Sequence, residues 1–138
     1  MKTLKGTKTE ENLKQAFQAE AVTAMRYSYF AGRAEIEGQC AVASLFRISA
    51  AGEQGHALGH LEFLSRDPVS DLPINSTRSN IRSAIEGERY EYHDMYPRMA
   101  EIAREEGFEE IANWFEVLAK AERTHANQFQ KSLDTLLD

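Results

Sequence analysis

The chain contains two short segments of the same chemistry, Glu53-Gln-Gly-His56 and Glu122-Arg-Thr-His125. On a helix, a Glu-x-x-His places a carboxylate and an imidazole one turn apart on the same face. Each segment also follows another glutamate at nearly the same distance. Glu20 precedes Glu53 by 33 residues, and Glu88 precedes Glu122 by 34. With 17 Glu and 4 His in 138 residues, chance supplies roughly half of one Glu-x-x-His. Two of them, each with a matched upstream glutamate, make a half-repeat whose repeated part is a set of metal donors.

Glu91 lies one turn beyond Glu88, on the side that carries Ile81, Ile85, Tyr92 and Met95. Turned inward together, Glu20, Glu53, Glu88, Glu91 and Glu122 would bring five carboxylates into one dry core. Burying even one unpaired charge costs several kcal/mol, and five like charges also repel. Two divalent ions bring four positive charges to such a cluster. The donors, carboxylates plus the imidazoles of His56 and His125, are hard and favour Fe or Mn, with Zn a substitute. Glu53 and Glu122, each with its own His, are the natural bridges between two ions. A single glutamate is ordinarily a solvated helix position, so the reading rests on the joint pattern. A Glu from each of two helices with a Glu-x-x-His from each of two others matches the ligand pattern of ferritin-like di-metal bundles. His60 and His93 have no counterpart in the other half and read as ordinary side chains.

The elements that must position these donors are helices. Thr7 with Glu10 reads as a capping box. Leu13, Phe17, Val22 or Ala24, Tyr27 and Ala31 keep a helical period up to Gly38, which suits a left-handed helix end. A second helix is expected from about Gln39 to Ser65. Its Gly52, Gly55 and Gly59 mark either a close backbone approach or a local weakness. Arg66–Ser76, with two prolines, reads as a loop. Thr77 is a candidate cap for a third helix, which Pro97 should kink. After Gly107 a fourth helix is expected from about Glu109 to Leu136, with Phe108 and Trp114 as core. The predicted fold is an all-α, ferritin-like four-helix bundle in one domain, 1–138, built of hairpins at about 8–65 and 77–136 with a long crossover between helices 2 and 3.

Composition narrows the function. A net charge of −6 and a pI near 5.3 leave no basic stripe for nucleic acid. No stretch resembles a signal peptide or a membrane span, which predicts a cytoplasmic protein. Cys40 is the only cysteine, so no Cys-x-x-Cys site and no internal disulfide can form. It reads as a small buried or half-exposed side chain near a helix start.

The connection carries its own expectation. Helices of about 27 residues are about 40 Å long. A pseudo-two-fold between the hairpins makes helices 2 and 3 run the same way, so eleven residues, reaching at most about 36–40 Å, would be nearly taut. That tension suggests a homodimer in which the first hairpin of one chain packs on the second hairpin of another, a domain swap.

Several longer stretches resemble the rubrerythrin family: Lys2-x-Leu-Lys-Gly-Thr-x-Thr-Glu10, Ala16-Phe-x-x-Glu20, Arg26-Tyr-x-Tyr-Phe30, Glu91-Tyr-x-x-Met-Tyr-Pro97 and Ile102-Ala-Arg-Glu-Glu-Gly-x-Glu-Glu-Ile-Ala112. The similarity covers essentially the whole chain. It implies a ferritin-like bundle with two Fe ions and peroxidase activity that reduces hydrogen peroxide to water. Carried over by position, it implies that Glu20, Glu53 and Glu122 hold one iron. Glu53, Glu88, Glu122 and His125 would hold the other. Glu91 and His56 would exchange on the first iron, Glu91 binding when oxidised and His56 when reduced. Tyr27 and Tyr96 match hydrogen-bond donors to ligand carboxylates. Most of the family carries a C-terminal rubredoxin domain, whereas this sequence ends at Asp138. The expected reductant is therefore an external donor such as a rubredoxin or its reductase. The short connection and the missing domain are traits of sulerythrin-type relatives. Competing readings are a ferroxidase or other iron-handling protein that takes oxygen, and a bundle with a merely structural metal.

Overall fold

The computed structural model describes residues 2–137. They are all-α: α1 (Lys8–Ile36), α2 (Cys40–Glu62), α3 (Thr77–Tyr90), α4 (Tyr96–Glu105) and α5 (Glu109–Thr135). A π-helical turn, Glu91–Met95, joins α3 to α4 without a break, so the two form one long third helix. No strand occurs among the described residues, and no helix is long and apolar enough to cross a membrane. The chain divides into two compact units, Met1–Leu64 and Ser65–Asp138.

Helix ends follow local chemistry. The Thr7 hydroxyl accepts from the Glu10 amide at 3.1 Å. The return bond differs from a capping box by one position, because Glu10 Oε2 accepts from Gly6 N rather than from Thr7 N. The cap of α3 is Ser76 rather than Thr77. Ser76 and Ser79 exchange side-chain and backbone bonds in a true capping box, leaving Thr77 as the first helical residue. Both hairpin turns are the same Schellman motif. Gly38 (φ 75°) donates to Glu35 O while Gln39 N reaches Ala34 O; Gly107 (φ 87°) donates to Arg104 O while Phe108 N reaches Ala103 O.

The seam inside each hairpin is built of alanine. Ala43, Ala50 and Ala57 of α2, and Leu64 just beyond its end, recur every seventh residue and are buried, with the buried Ala24, Ala31 and Ala34 of α1 in the same hairpin. In the second unit Ala100, Ala103, Ala112 and Ala126 are buried likewise. Small side chains let two backbones approach closely, but each removes little apolar surface from water. Apart from Leu64 and Ile85, which are buried, many large apolar residues lie outside this seam. Leu45, Ile48, Phe63, Ile111 and Val117 are exposed. So are Phe108 and Trp114 (59% accessible), which corrects the expectation of core positions for both. Cys40 is exposed at the first residue of α2 rather than buried. A Cβ at Gly52, Gly55 or Gly59 would meet nothing within 4 Å, so no neighbouring backbone within the described residues requires these glycines.

The connection also departs from expectation. It is not taut. Ile74 N donates to Ser65 O at 3.1 Å, Asp67 N to Leu72 O at 2.9 Å, and Arg66 pairs with Pro73 as an isolated antiparallel bridge. The chain therefore doubles back within 65–74, turning at Asp71 (φ 56°). Asp67 holds this fold against α3. Its carboxylate accepts from Ser70 and Ser83 hydroxyls and from Val69 N, and Ser83 is 4% exposed. The polar turn thus satisfies itself instead of reaching for length.

Candidate metal centre

Each unit carries one group of metal donors. In the first, Glu20 from the middle of α1 meets Glu53 and His56 of α2, with atoms of all three within 4.8 Å of one another. His56 Nδ1 lies 2.9 Å from Glu20 Oε2 and 3.1 Å from Glu53 Oε2. In the second, Glu88 of α3 meets Glu122 and His125 of α5 within the same limit. His125 Nδ1 is 2.9 Å from Glu122 Oε2 and 3.5 Å from Glu88 Oε1. Six of the predicted ligands are thus brought together as two matched triads, three in each unit.

The match extends well beyond the ligands. At an offset of 69 residues, Ala43, Phe46, Ala50, Glu53, His56, Ala57 and Leu64 fall on Ala112, Phe115, Ala119, Glu122, His125, Ala126 and Leu133. Tyr27, Ala31, Ala34 and Gly38 fall on Tyr96, Ala100, Ala103 and Gly107 at the same offset. Before the π-helical turn the offset is 68, which pairs Leu13, Phe17 and Glu20 with Ile81, Ile85 and Glu88. The π-helical turn is the extra residue. Inserting one residue as a wider turn keeps both flanking segments on their original faces, and it accounts for spacings of 33 and 34. Glu91 opens that turn, whereas its counterpart in the first unit is Thr23. Pro97 follows after Tyr96, so the expected irregularity is a π turn ahead of the proline, closed by Tyr96 N on Glu91 O. The unequal spacing was its only signal in the sequence.

The two aromatic positions obey the repeat as well. Tyr27 packs on Phe46 with ring centroids 5.7 Å apart, and Tyr96 stacks on Phe115 at 5.8 Å. The Tyr96 hydroxyl is held above the usual phenol range by burial, then by Glu91, Glu122 and Glu88. It remains a proton donor beside those carboxylates. Neither hydroxyl hydrogen-bonds a ligand carboxylate among the described residues.

The two triads answer their excess negative charge differently. In the first, the hydrogen bonds of Glu20 and Glu53 raise His56 above its usual range. Glu20 is lowered, chiefly by its hydrogen bond with Glu53 and also by His56. In the second, burial first and then Glu122 push Glu88 up to about 7. Glu91 is also raised, by burial and then by Glu122. Glu88 Oε2 is buried with no hydrogen-bond partner. A carboxylate oxygen with no donor, aimed among hard oxygen and nitrogen atoms, is a position a di- or trivalent cation fits.

The residues 11–133 match the rubrerythrin family. The chain belongs to that family. It is 41% identical to rubrerythrin of Clostridium perfringens, over 95% of this chain and 72% of the relative. Identity to rubrerythrin of Nitratidesulfovibrio vulgaris is 40%, over 94% and 71% of the two chains. Rubrerythrin of Porphyromonas gingivalis is likewise 40% identical, over 93% and 67%. Rubrerythrins are non-haem iron proteins with a ferritin-like helical bundle, so the fold class read from the sequence holds, and each of the two triads could hold a metal ion.

Proposed function

We propose that the protein is a di-iron peroxidase that reduces hydrogen peroxide to water with electrons from an external donor of the rubredoxin type. The observation that carries this is the pair of matched Glu-Glu-His triads, one containing a buried carboxylate oxygen without a hydrogen-bond partner that a cation would satisfy. Glu20, Glu53 and His56 would hold iron in the first unit, and Glu88, Glu122 and His125 in the second. When bound, the iron pair supplies the two electrons that the peroxide O–O bond requires.

The chain's own residues then set the conditions. Glu91, on the wider turn, is the donor without a counterpart, so it makes the two metal positions unequal. His56 is 65% exposed at its side chain and hydrogen-bonds two carboxylates, so it can take and return a proton without repacking. Glu91 and His56 would be the exchangeable ligands, since a carboxylate suits a more highly charged metal and a neutral imidazole a less charged one. Tyr96, kept protonated beside Glu91, Glu122 and Glu88, would hold a transferable proton at its hydroxyl. Tyr27 holds the equivalent place in the first unit.

Stopped-flow mixing of the anaerobic, reduced, iron-loaded protein with peroxide and with oxygen tests the reading. Oxidation by peroxide should be at least tenfold faster than by oxygen at equal concentrations. Oxygen-driven iron uptake with peroxide inert would establish a ferroxidase instead.

A further inference from the structure

The half-repeat is an internal control for which surfaces the fold demands. On α1, Val22, Met25, Tyr29 and Ile36 recur at spacings of three, four and seven residues, which aligns them along one face of the helix. Each is more than half exposed. The face points away from the hairpin seam, because the buried Ala24, Ala31 and Ala34 lie on the other side of α1. In the second unit the repeat places Asp94, Arg98 and Glu105 at the positions of Met25, Tyr29 and Ile36. Charged residues are what a solvated helix face ordinarily carries. The ligands, the alanines and the Tyr–Phe pair recur in both halves and this apolar face does not, so the helical hairpin itself does not require it. A contiguous exposed apolar stripe marks a contact surface. It runs into a groove of about 530 Å³ between α1 and α2, whose wall includes Met25, Ala51 and Leu58.

Two further observations say what covers the stripe. The first is charge. Arg26 and Arg33 run along one flank and are exposed. The Arg26 guanidinium lies over the Phe30 ring, 5.5 Å from its centroid, and neither arginine has a carboxylate partner among the described residues. In a chain of net charge −6, two unpaired arginines beside an apolar stripe select an acidic partner. A second copy does not supply one. Antiparallel pairing of the stripe with itself sets the arginine flank against itself, and parallel pairing sets it against Ala21 and Ser28. The second observation is position. Val22 and Met25 lie within about a turn and a half of Glu20 on the far side of the same helix, so one helix thickness, about 10–12 Å, separates them from the first triad. Tyr29, Phe30 and Tyr27 lead inward from the stripe with successive ring centroids 6.3 Å apart. Arg98 and Met99 stand at the places of Tyr29 and Phe30 in the second half, which does not repeat this packed path.

We propose that this face of α1, with Val22, Met25, Tyr29 and Ile36 at its centre and Arg26 and Arg33 on its rim, is the docking site of an acidic protein that carries one electron at a time. This rests on the peroxidase reading above and names the surface at which its external donor binds. The stripe forms the dry centre of the contact, and the arginines steer the approach. Electrons balance over two encounters. Two reduced carriers each lose one electron, and those electrons with two protons take one hydrogen peroxide to two waters.

A rubredoxin of acidic pI is the probe. Its affinity for the full-length protein, loaded with redox-silent zinc, is measured by isothermal titration calorimetry at low and high salt. Arg33→Glu and Ile36→Glu should each weaken binding about tenfold or more. Arg33→Lys, which keeps the charge, should stay within about threefold of wild type, and high salt should weaken wild type toward Arg33→Glu. Arg98→Glu, on the corresponding face of the second unit, should leave the affinity unchanged. All three positions are exposed, and circular dichroism checks that each variant keeps its helices. With iron-loaded protein, the second-order rate at which peroxide-driven turnover oxidises reduced rubredoxin should fall by the same factors. No binding by wild type, binding that neither variant weakens, or an equal effect of Arg98→Glu overturns the proposal. If Ile36→Glu instead lowers the mass of the protein alone by light scattering and leaves rubredoxin affinity unchanged, the stripe joins copies of this chain and the proposal falls. Binding with the expected sensitivities but no oxidation of rubredoxin by peroxide overturns the peroxidase reading and leaves the docking face standing.

Discussion

Glu88→Gln should have opposite effects on the metal-free and iron-loaded protein, and the size of the first can be worked from the structure. Burial and the neighbouring Glu122 push Glu88 from 4.5 up to about 7. A raised carboxyl pKa means that the folded state binds the proton more tightly than the unfolded state. Below about pH 4.5 both states are protonated and nothing is lost. As pH rises from 4.5 to 7 the unfolded chain ionises and the folded one resists, so folding stability falls and stays low above 7. A shift of about 2.5 units corresponds to roughly 3 kcal/mol at about 1.4 per unit. The Glu88 side chain is 19% exposed and stands beside Glu122, so about 1–3 kcal/mol is the expected range. Glutamine has the same shape and no charge to bury. Metal-free Glu88→Gln should therefore be more stable than wild type by that amount at pH 8 and indistinguishable at pH 4.5. Urea titrations followed by circular dichroism, with chelator and at fixed protein concentration, give both numbers. In iron-loaded protein the sign reverses, because the charge that destabilises the empty site is the one that binds. An equal effect at pH 4.5 and pH 8, or a less stable variant at pH 8, would refute the reasoning.

Other expectations are narrower. Deleting His93 should convert the π-helical turn to ordinary α-helix and leave α4 facing α5, so helicity persists while iron occupancy or its oxidised spectrum changes through Glu91. Ser83→Ala removes a buried hydroxyl that Asp67 uses and should cost about 1–2 kcal/mol by denaturant titration. Ala57→Leu, at a seam position 4% exposed, should cost about 1–3 kcal/mol or more through overpacking. Gly107→Ala, at φ 87°, should cost about 1 kcal/mol by thermal unfolding.

Much of the fold was legible because helices announce themselves locally. Gly38 and Gly107 end them, Thr7 caps one, and the ligand triads follow from the one-turn spacing of Glu-x-x-His. Two things were not legible, for physical reasons. Large side chains carry the hydrophobic period, so Trp114 and Phe108 were read as core, whereas alanine, weak in any hydropathy pattern, forms the actual seam. The connection was read as extended because loops without a period have no pattern to show their shape. Its fold depends on Asp67 finding Ser83, sixteen residues away, a tertiary contact no local window contains. Spacings of 33 and 34 did hold the π-helical turn in plain view, and only the residue-by-residue repeat explains them.

The duplicated seam has a consequence for how the chain finds itself. α1 would fit α5 nearly as well as α2, since the alanines, the phenylalanine and the ligands recur in register. What distinguishes the pairings is speed. Closing a three-residue turn between α1 and α2 is far less costly in loop entropy than closing the roughly 70 residues that separate α1 from α5, and short loops close in tens of nanoseconds. Proximity along the chain chooses the partner before chemistry is consulted, so Gly38 and Gly107, which make those turns tight, sort two near-identical halves during folding.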